Sequence, residues 1–427
     1  MKYIIATLGC KVNQVESEAM EELLQAAGHE RSESGEAEAV LLNSCAVTAE
    51  GERKARQTLR RLRRENPEAV LCVCGCWSQI APDAASELGA DVIFGTGERR
   101  KFLAAVEKAV TERAVTRSVP DTKTPRPFER LPAAGSYEGH ARAYLKIEDG
   151  CDNFCTYCII PYARGRVCSL PVAECAREAA ELAARGYREI VVTGIEIASY
   201  GRDLPERPSL LTVLRAMADS APGVRLHLGS LEPRCCTEEL VAGMREMNIC
   251  PHFHLSLQSG ADATLRRMNR HYTTAEFYAV VERLRAAFPG CGITTDLICG
   301  FPGETEEEFA ETLAFIRRCG FSAMHIFPYS RRPGTVADRL PDQLGNKEKS
   351  GRCARAAAVA EETERAFLNS CVNRTLSVLF ETETDGCCIG HSENYREVRV
   401  EGSGLRGLVK NVQITGVEGK MLVGVVL

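Results

Sequence analysis

The sequence predicts an α/β protein in three parts: an N-terminal α/β domain on a parallel sheet, a central β/α barrel and a small C-terminal β-barrel. Three observations carry this. Apolar strands alternate with helices over the first hundred or so residues. After a proline-rich stretch the alternation resumes for about six βα units, enough for a closed or partly closed barrel. Past the last long helix the hydrophobic period falls to two, the period of strands. These changes place the parts at 1–113, 137–366 and 367–427, with a linker at 114–136.

In the first part, strands are expected at 3–8, 39–43, 69–74 and 91–94, and helices at 17–27, 50–65 and 101–110. Gly28 closes the first helix, and Asn66-Pro67 ends the second. The linker carries Pro120, Pro125, Pro127 and Pro132 without sustained periodicity. In the middle part, strands are expected at 143–147, 189–193, 225–229, 252–257, 292–299 and 323–327. Helices fall at 171–185, 209–220, 237–247, 274–288 and 306–319. A charged helix over 347–369 leads to short strands at 375–380, 395–400, 409–414 and 421–426, separated by glycine-rich turns.

Composition bounds the function. The 427 residues are 44% hydrophobic and 26% charged, ordinary for globular cores. No apolar run approaches the ~18–20 residues that span a bilayer. MKYIIATLGCKVNQ reads as a strand entering a loop, with no signal-peptide cleavage site. A cytoplasmic protein without a membrane partner is expected. The net charge of −5 does not exclude a nucleic acid, since basic residues can cluster locally. Twenty cysteines in a long, unsecreted chain point to metal binding where they cluster and to burial where they are scattered. Cys168, Cys175, Cys235, Cys236, Cys387 and Cys388 lack cluster spacing and are read as packing residues.

Cys151-Asp-Asn-Phe-Cys155-Thr-Tyr-Cys158 follows the first predicted barrel strand. Three thiolates on one tight loop can hold three irons of a [4Fe–4S] cluster and leave the fourth open to a chelating ligand. A zinc site would favour paired CxxC motifs and a closed fourth position, and no such pair lies nearby. Cys10, Cys45 and Cys76 each sit just past the C-terminal end of a predicted parallel strand, the edge at which open α/β sheets bind ligands. Within Cys72-Val-Cys-Gly-Cys76, alternation places Cys72 and Cys74 on one face of the strand. Cys76 follows Gly75 into the loop and is the chosen candidate.

CxxxCxxC at the start of a β/α barrel is the signature of the radical-SAM superfamily. TLGCKVNQVES, NSCAVTAEGERKARQTLRRL and GCWSQ resemble the three cysteine segments of its methylthiotransferase family. YLKIEDGCDNFCTYCIIPYARG, VTGIEIASYG, HLSLQSG, TTDLICGFPGETEEEF and PYSRRPGT resemble that family's barrel motifs, and the last 60 or so residues resemble a TRAM domain, a small RNA-binding β-barrel. GCKVNQ.ES and SCAVT look most like the branch acting on N6-threonylcarbamoyladenosine of tRNA.

The resemblance implies two [4Fe–4S] clusters and S-adenosylmethionine (SAM). Cys151, Cys155 and Cys158 would hold the SAM-binding cluster. Cys10, Cys45 and Cys76 would hold an auxiliary cluster that delivers sulfur. One SAM would methylate that sulfur, and a second would yield a 5′-deoxyadenosyl radical that removes hydrogen from C2 of the adenine at tRNA position 37. The strong C2–H bond lies beyond acid–base catalysis, so the cofactor supplies the chemistry and the protein supplies alignment.

Tyr157, Gly194, Glu196, Glu232 and Gln258 follow strands or sit in the cluster loop and are candidate SAM contacts, although many family members carry Asn in place of Glu196. Gly300 and Gly303 would form a tight loop. The implied partners are the anticodon arm of tRNA and a small redox protein as electron donor, and a monomer is expected. The cations Arg53, Lys54, Arg56, Arg60, Arg61, Arg63 and Arg64, with few acidic neighbours in sequence, form a candidate phosphate-binding face. Rival readings are methylthiolation of isopentenyladenosine in tRNA or of a ribosomal-protein aspartate, and a non-catalytic iron–sulfur RNA-binding protein.

Overall fold

A computed structural model describes residues 1–33, 35–132 and 141–427. The expected boundary between linker and barrel, at 136/137, lies outside the described residues.

Six parallel strands form the N-terminal sheet in the order Glu30–Arg31, Lys2–Thr7, Ala39–Ser44, Val70–Gly75, Val92–Phe94, Thr116–Ser118. The two central strands are buried along their whole length, as parallel strands covered on both faces must be. Thr116–Ser118 falls in the stretch read as linker. Three polar residues on a sheet edge are too few to show a period. Beyond it the chain is fastened to the sheet: Gln79 donates to the Pro120 carbonyl at 2.8 Å, and Arg126 to that of Thr96 at 2.8 Å. The first helix runs Lys11–Ala26, starting well before the expected residue 17. Cys10 is its cap, and Asn13 and Glu16 in its first turns point inward, which hides the amphipathic pattern.

The barrel strands form two parallel arcs. One holds Arg225–Leu228, Glu189–Thr193 and Arg142–Lys146. The other holds Ser230–Leu231, His252–Gln258, Gly292–Cys299 and Ala323–Pro328. Leu226 joins them, its N–H donating to Asn248 and its carbonyl accepting from Cys250. The barrel is thus partly closed. Helix Lys11–Ala26 packs beside Arg142–Lys146 at its open side. Part of the interior is polar. Glu189 meets His227 at 3.1 Å, His227 meets His252 at 2.7 Å, and both His252 and His254 meet Thr294 Oγ1 at 3.0 Å. His254 then reaches Asp296 at 3.3 Å.

Helix Asn346–Cys371 packs on Ala323–Pro328 and leads to a closed five-stranded barrel. Its order is Thr375–Thr384, Cys387–Ser392, Glu397–Glu401, Met421–Val426, Val409–Glu418. Cys387–Ser392 is an additional strand. Its inward residues are Cys388, Gly390 and Ser392, too small and polar to show an apolar alternation. A Cβ on Gly390 would lie 2.1 Å from the Leu379 carbonyl oxygen, so the crossing strands need glycine there. Among the described residues no helix is long and apolar enough to cross a membrane.

Candidate functional site

The loop carrying Cys151, Cys155 and Cys158 is held on both sides. Cys151 N–H donates to Gly165 O at 3.0 Å, and Thr156 donates through its amide to Met268 O and through its hydroxyl to Arg267 O. Gly150 has φ +85°, and a Cβ there would sit 2.1 Å from Arg166 O. Only glycine admits this approach. Arg270 donates to Cys155 Sγ at 3.3 Å and to the Ser256 carbonyl at 3.1 Å. Burial pushes the Cys158 thiol up to about 12 and raises that of Cys151 still further. Burial thus favours the protonated form of the Cys151 and Cys158 thiols, whose protons bound metal must displace.

Cys10 caps helix Lys11–Ala26, Cys45 follows strand Ala39–Ser44, and Cys76 opens the short helix Cys76–Ile80. The fold brings all three within electrostatic reach of one another. Burial chiefly, then Cys10 and Cys45, raises Cys76 to about 12, against the opposing pull of Arg164. The two trios also share a wall, since Cys151 and Cys158 pack against the apolar cluster containing Cys76, Ile159, Ile160 and Ala163.

Four thiolates around one zinc, at Zn–S of ~2.3 Å, stand about 4 Å apart. Among the described residues, only Glu189, His227 and Cys250 bring three ligand-type atoms within 4.8 Å of one another. Neither cysteine trio is that tight. Glu189 itself is taken by Arg225 at 2.6 Å and Arg142 at 3.6 Å, which makes that buried group an ion-paired core.

A cavity of about 310 Å³ opens above the cluster loop. Cys151, Cys155, Cys158, Tyr157, Glu196 and Gln258 line it. Gly194 lies beneath, where a Cβ would come 2.8 Å from the buried Glu148 carboxyl. Glu232 does not line the cavity, and its carboxylate accepts from Arg234 at 2.9 Å. Glu196 N–H donates to Glu148 at 2.7 Å, and burial lifts the Glu196 carboxyl to about 7. The turn through Gly300 and Gly303 has φ +74° and +71°, and Glu304 accepts from Gly300 N–H at 2.8 Å. Sequence reasoning did not single out Arg270, Asp296, Phe327 or Tyr329, which also line the cavity. Val47 and Thr48, which follow Cys45 in the chain, reach in from the N-terminal domain, while Cys10, Cys45 and Cys76 themselves do not line the cavity.

Beneath lies a buried ionic cluster. Glu16 accepts from Arg99 at 2.7 Å, Arg164 at 2.8 Å and Lys146 at 3.1 Å. Arg164 and Lys146 also hold Asp149, at 2.9 and 3.3 Å. These cations keep Glu16 and Asp149 ionised despite burial. On helix Ala49–Glu65, Arg53, Arg56 and Arg63 are paired with Glu50, Glu52 and Asp91, so acidic partners are more numerous than the sequence suggests. Lys54, Arg60, Arg61 and Arg64 stay exposed.

Residues 145–316 match the Radical SAM superfamily, and residues 2–95 match Uncharacterized protein family UPF0004. The chain is 38% identical over 406 residues to the threonylcarbamoyladenosine tRNA methylthiotransferase MtaB of Bacillus subtilis, covering 93% of this chain and 90% of that protein. It is 33% identical over 427 residues to a tRNA-2-methylthio-N(6)-dimethylallyladenosine synthase of Alkaliphilus oremlandii, covering 97% and 90%. In fold it is similar to TsrM of Kitasatospora setae, a radical S-adenosylmethionine methyltransferase, with a TM-score of 0.57 at 16% identity over 79% of this chain and 76% of that one.

Proposed function

The chain belongs to the radical-SAM tRNA methylthiotransferases, and from that premise we propose that it converts N6-threonylcarbamoyladenosine at tRNA position 37 to its 2-methylthio derivative. The observation that carries this reading is the single cavity bordered by the Cys151–Cys155–Cys158 loop on one side and, through Val47 and Thr48, by the Cys45 segment on the other. A [4Fe–4S] cluster and SAM follow from the family. A second cluster on Cys10, Cys45 and Cys76 is part of the proposal, supported by three soft donors brought together at the strand ends of one sheet. When bound, these groups supply the electron that splits SAM and the sulfur that is transferred.

The chain's own residues bind, orient and exclude water. Arg270 offers a charge-assisted hydrogen bond to Cys155 Sγ and holds the loop against strand His252–Gln258. Glu148, whose carboxyl burial pushes well above the usual carboxylate range, accepts from the Glu196 N–H and fixes that backbone beside the cavity. Tyr157 and Gln258 contribute an aromatic face and an amide to SAM. Ile160, Ile195, Ile298 and Phe327 keep water from the reacting centre. The closed C-terminal barrel grips the anticodon arm, and a small redox protein in the cytoplasm supplies electrons.

The test is mass spectrometry of tRNA nucleosides from a host lacking this modification, with and without the gene. Appearance of 2-methylthio-N6-threonylcarbamoyladenosine supports the reading. The 2-methylthio isopentenyl product in its place would keep the chemistry and overturn the substrate.

A further inference from the structure

Next to the cavity runs a second depression of about 420 Å³, between helix Ala49–Glu65 and the segment Arg331–Pro333. Arg53, Arg56, Arg60, Arg331 and Arg332 line it, with Glu52 as the one acid among the lining residues. It adjoins the cavity. Thr48 and Ser330 line the cavity, and the next residues along each segment, Ala49 and Arg331, line the groove. Ala49 N–H donates to Ser330 Oγ at 2.9 Å across this shared rim.

The five arginines are not equivalent. Arg332 is buried and bonded to Glu52 at 2.8 Å, and it ties the two walls together. Arg53 with Glu50, and Arg331 with Asp338, form ion pairs whose arginines are more than half exposed. Such exposed pairs hold the side chains in place yet contribute little to stability, so they yield readily to a better anion. Arg60 is exposed and has no acidic partner among the described residues. A neutral ligand would gain nothing from this wall. A phosphodiester strand would release counterions at each contact and could meet arginine side chains in bidentate fashion.

We propose that this groove seats the backbone phosphates flanking the target nucleoside while its base enters the cavity. The proposal rests on the tRNA reading above and adds to it where the strand runs: over the N-terminal domain's second helix, against the Arg331–Pro333 segment. The face read from sequence as one basic run thereby divides. Arg53, Arg56 and Arg60 point to the groove, whereas Arg63 is spent on Asp91 and on the Pro67, Ala69 and Gly89 carbonyls.

The experiment measures binding of an anticodon stem-loop RNA to the cluster-loaded enzyme over a salt series, by fluorescence anisotropy. Wild type is compared with Arg60→Gln, with the triple variant Arg56→Gln/Arg60→Gln/Arg331→Gln, and with Arg177→Gln on helix Val172–Ala184. The triple variant is expected to bind at least tenfold more weakly and to flatten the log–log salt slope by about 2, at about 0.7 per phosphate contact of a single strand. Arg60→Gln should flatten it by about 0.7, and Arg177→Gln should leave it unchanged. A slope unmoved in both groove variants would overturn the proposal. Thermal unfolding and iron content matching wild type exclude misfolding of the triple variant, and should it misfold, Arg60→Gln, which breaks no ion pair, decides. Failure of the substrate reading shows separately, as the absence of the methylthio nucleoside from wild type.

Discussion

The Arg164 guanidinium donates to the Glu16 carboxylate at 2.8 Å, joining the barrel to the first helix of the N-terminal domain. Both side chains are buried, and Arg99, Lys146, Arg126 and Asp149 complete the group. Glu16→Gln keeps the shape but leaves Arg99 without its carboxylate partner and Arg164, Lys146 and Arg126 sharing Asp149. Removing one member of such a buried network costs about 3–5 kcal/mol. Chemical denaturation should show that loss.

The same group makes the fold acid-labile. Glu16 and Asp149 titrate below the ordinary carboxylate range in the folded chain, because Arg164 and its neighbouring cations favour the charged form over the opposing effect of burial. Their contribution is complete above the unfolded value of about 4 and is lost as pH falls below it toward the depressed folded values. Denaturation midpoints measured between about pH 2 and 5 should drop steeply toward the acid end in wild type and less steeply in Glu16→Gln.

Glu178 behaves in the opposite sense. On helix Val172–Ala184 its carboxyl is largely buried, and desolvation lifts it to about 7. The folded state favours the protonated form, so the stabilisation is present below about pH 4 and is lost as pH rises through about 7. Glu178→Gln should be neutral at low pH and stabilise by about 1–2 kcal/mol at pH 8, as read from melting temperatures across that range.

The two cysteine trios should separate by function. Cys155→Ala is expected to lose about half the iron and to abolish 5′-deoxyadenosine release from SAM. Cys76→Ala should lose a similar share of iron yet still cleave SAM, and give no methylthio nucleoside. Iron analysis with chromatography of both products checks this, and intact methylthiolation by Cys76→Ala would remove the second trio from the mechanism.

Arg270→Gln removes a positive charge and a hydrogen bond from Cys155 Sγ. Both favour the more negative, reduced form of a bound cluster, so the variant's reduction potential should fall by tens of millivolts. A spectroscopic redox titration of the cluster reads this directly, and an unchanged potential would leave Arg270 a loop-anchoring role only.

Local patterns were the legible part of this molecule. Cys151, Cys155 and Cys158 lie within eight residues, and strands Glu189–Thr193 and Gly292–Cys299 match the apolar runs residue for residue. Cys10, Cys45 and Cys76 could be placed because each follows a strand of one sheet. Arg270 was not legible, because it stands 115 residues from Cys155 and only the barrel brings them together. The early turns of helix Lys11–Ala26 were hidden for a related reason: Asn13 and Glu16 read as surface residues until Arg164 and Lys146 are seen to bury with them. Cys387–Ser392 escaped because a tight small barrel fills its inner face with Cys388, Gly390 and Ser392.

The histidine chain inside the central barrel has a consequence of its own. From Glu189 through His227, His252, Thr294 and His254 to Asp296, directional bonds cross four adjacent strands. Apolar side chains tolerate small slips of one strand past another, whereas each of these rings has a fixed pair of partners. The chain therefore works as a vernier: sliding either His252–Gln258 or Gly292–Cys299 breaks several bonds at once. Asp296 at the cavity wall is thereby indexed to Glu189 at the foot of the barrel, where Arg142 also reaches Glu381 of the C-terminal barrel at 2.7 Å. A ruler of polar contacts thus sets the height of the reacting chamber above the base on which that last barrel is mounted.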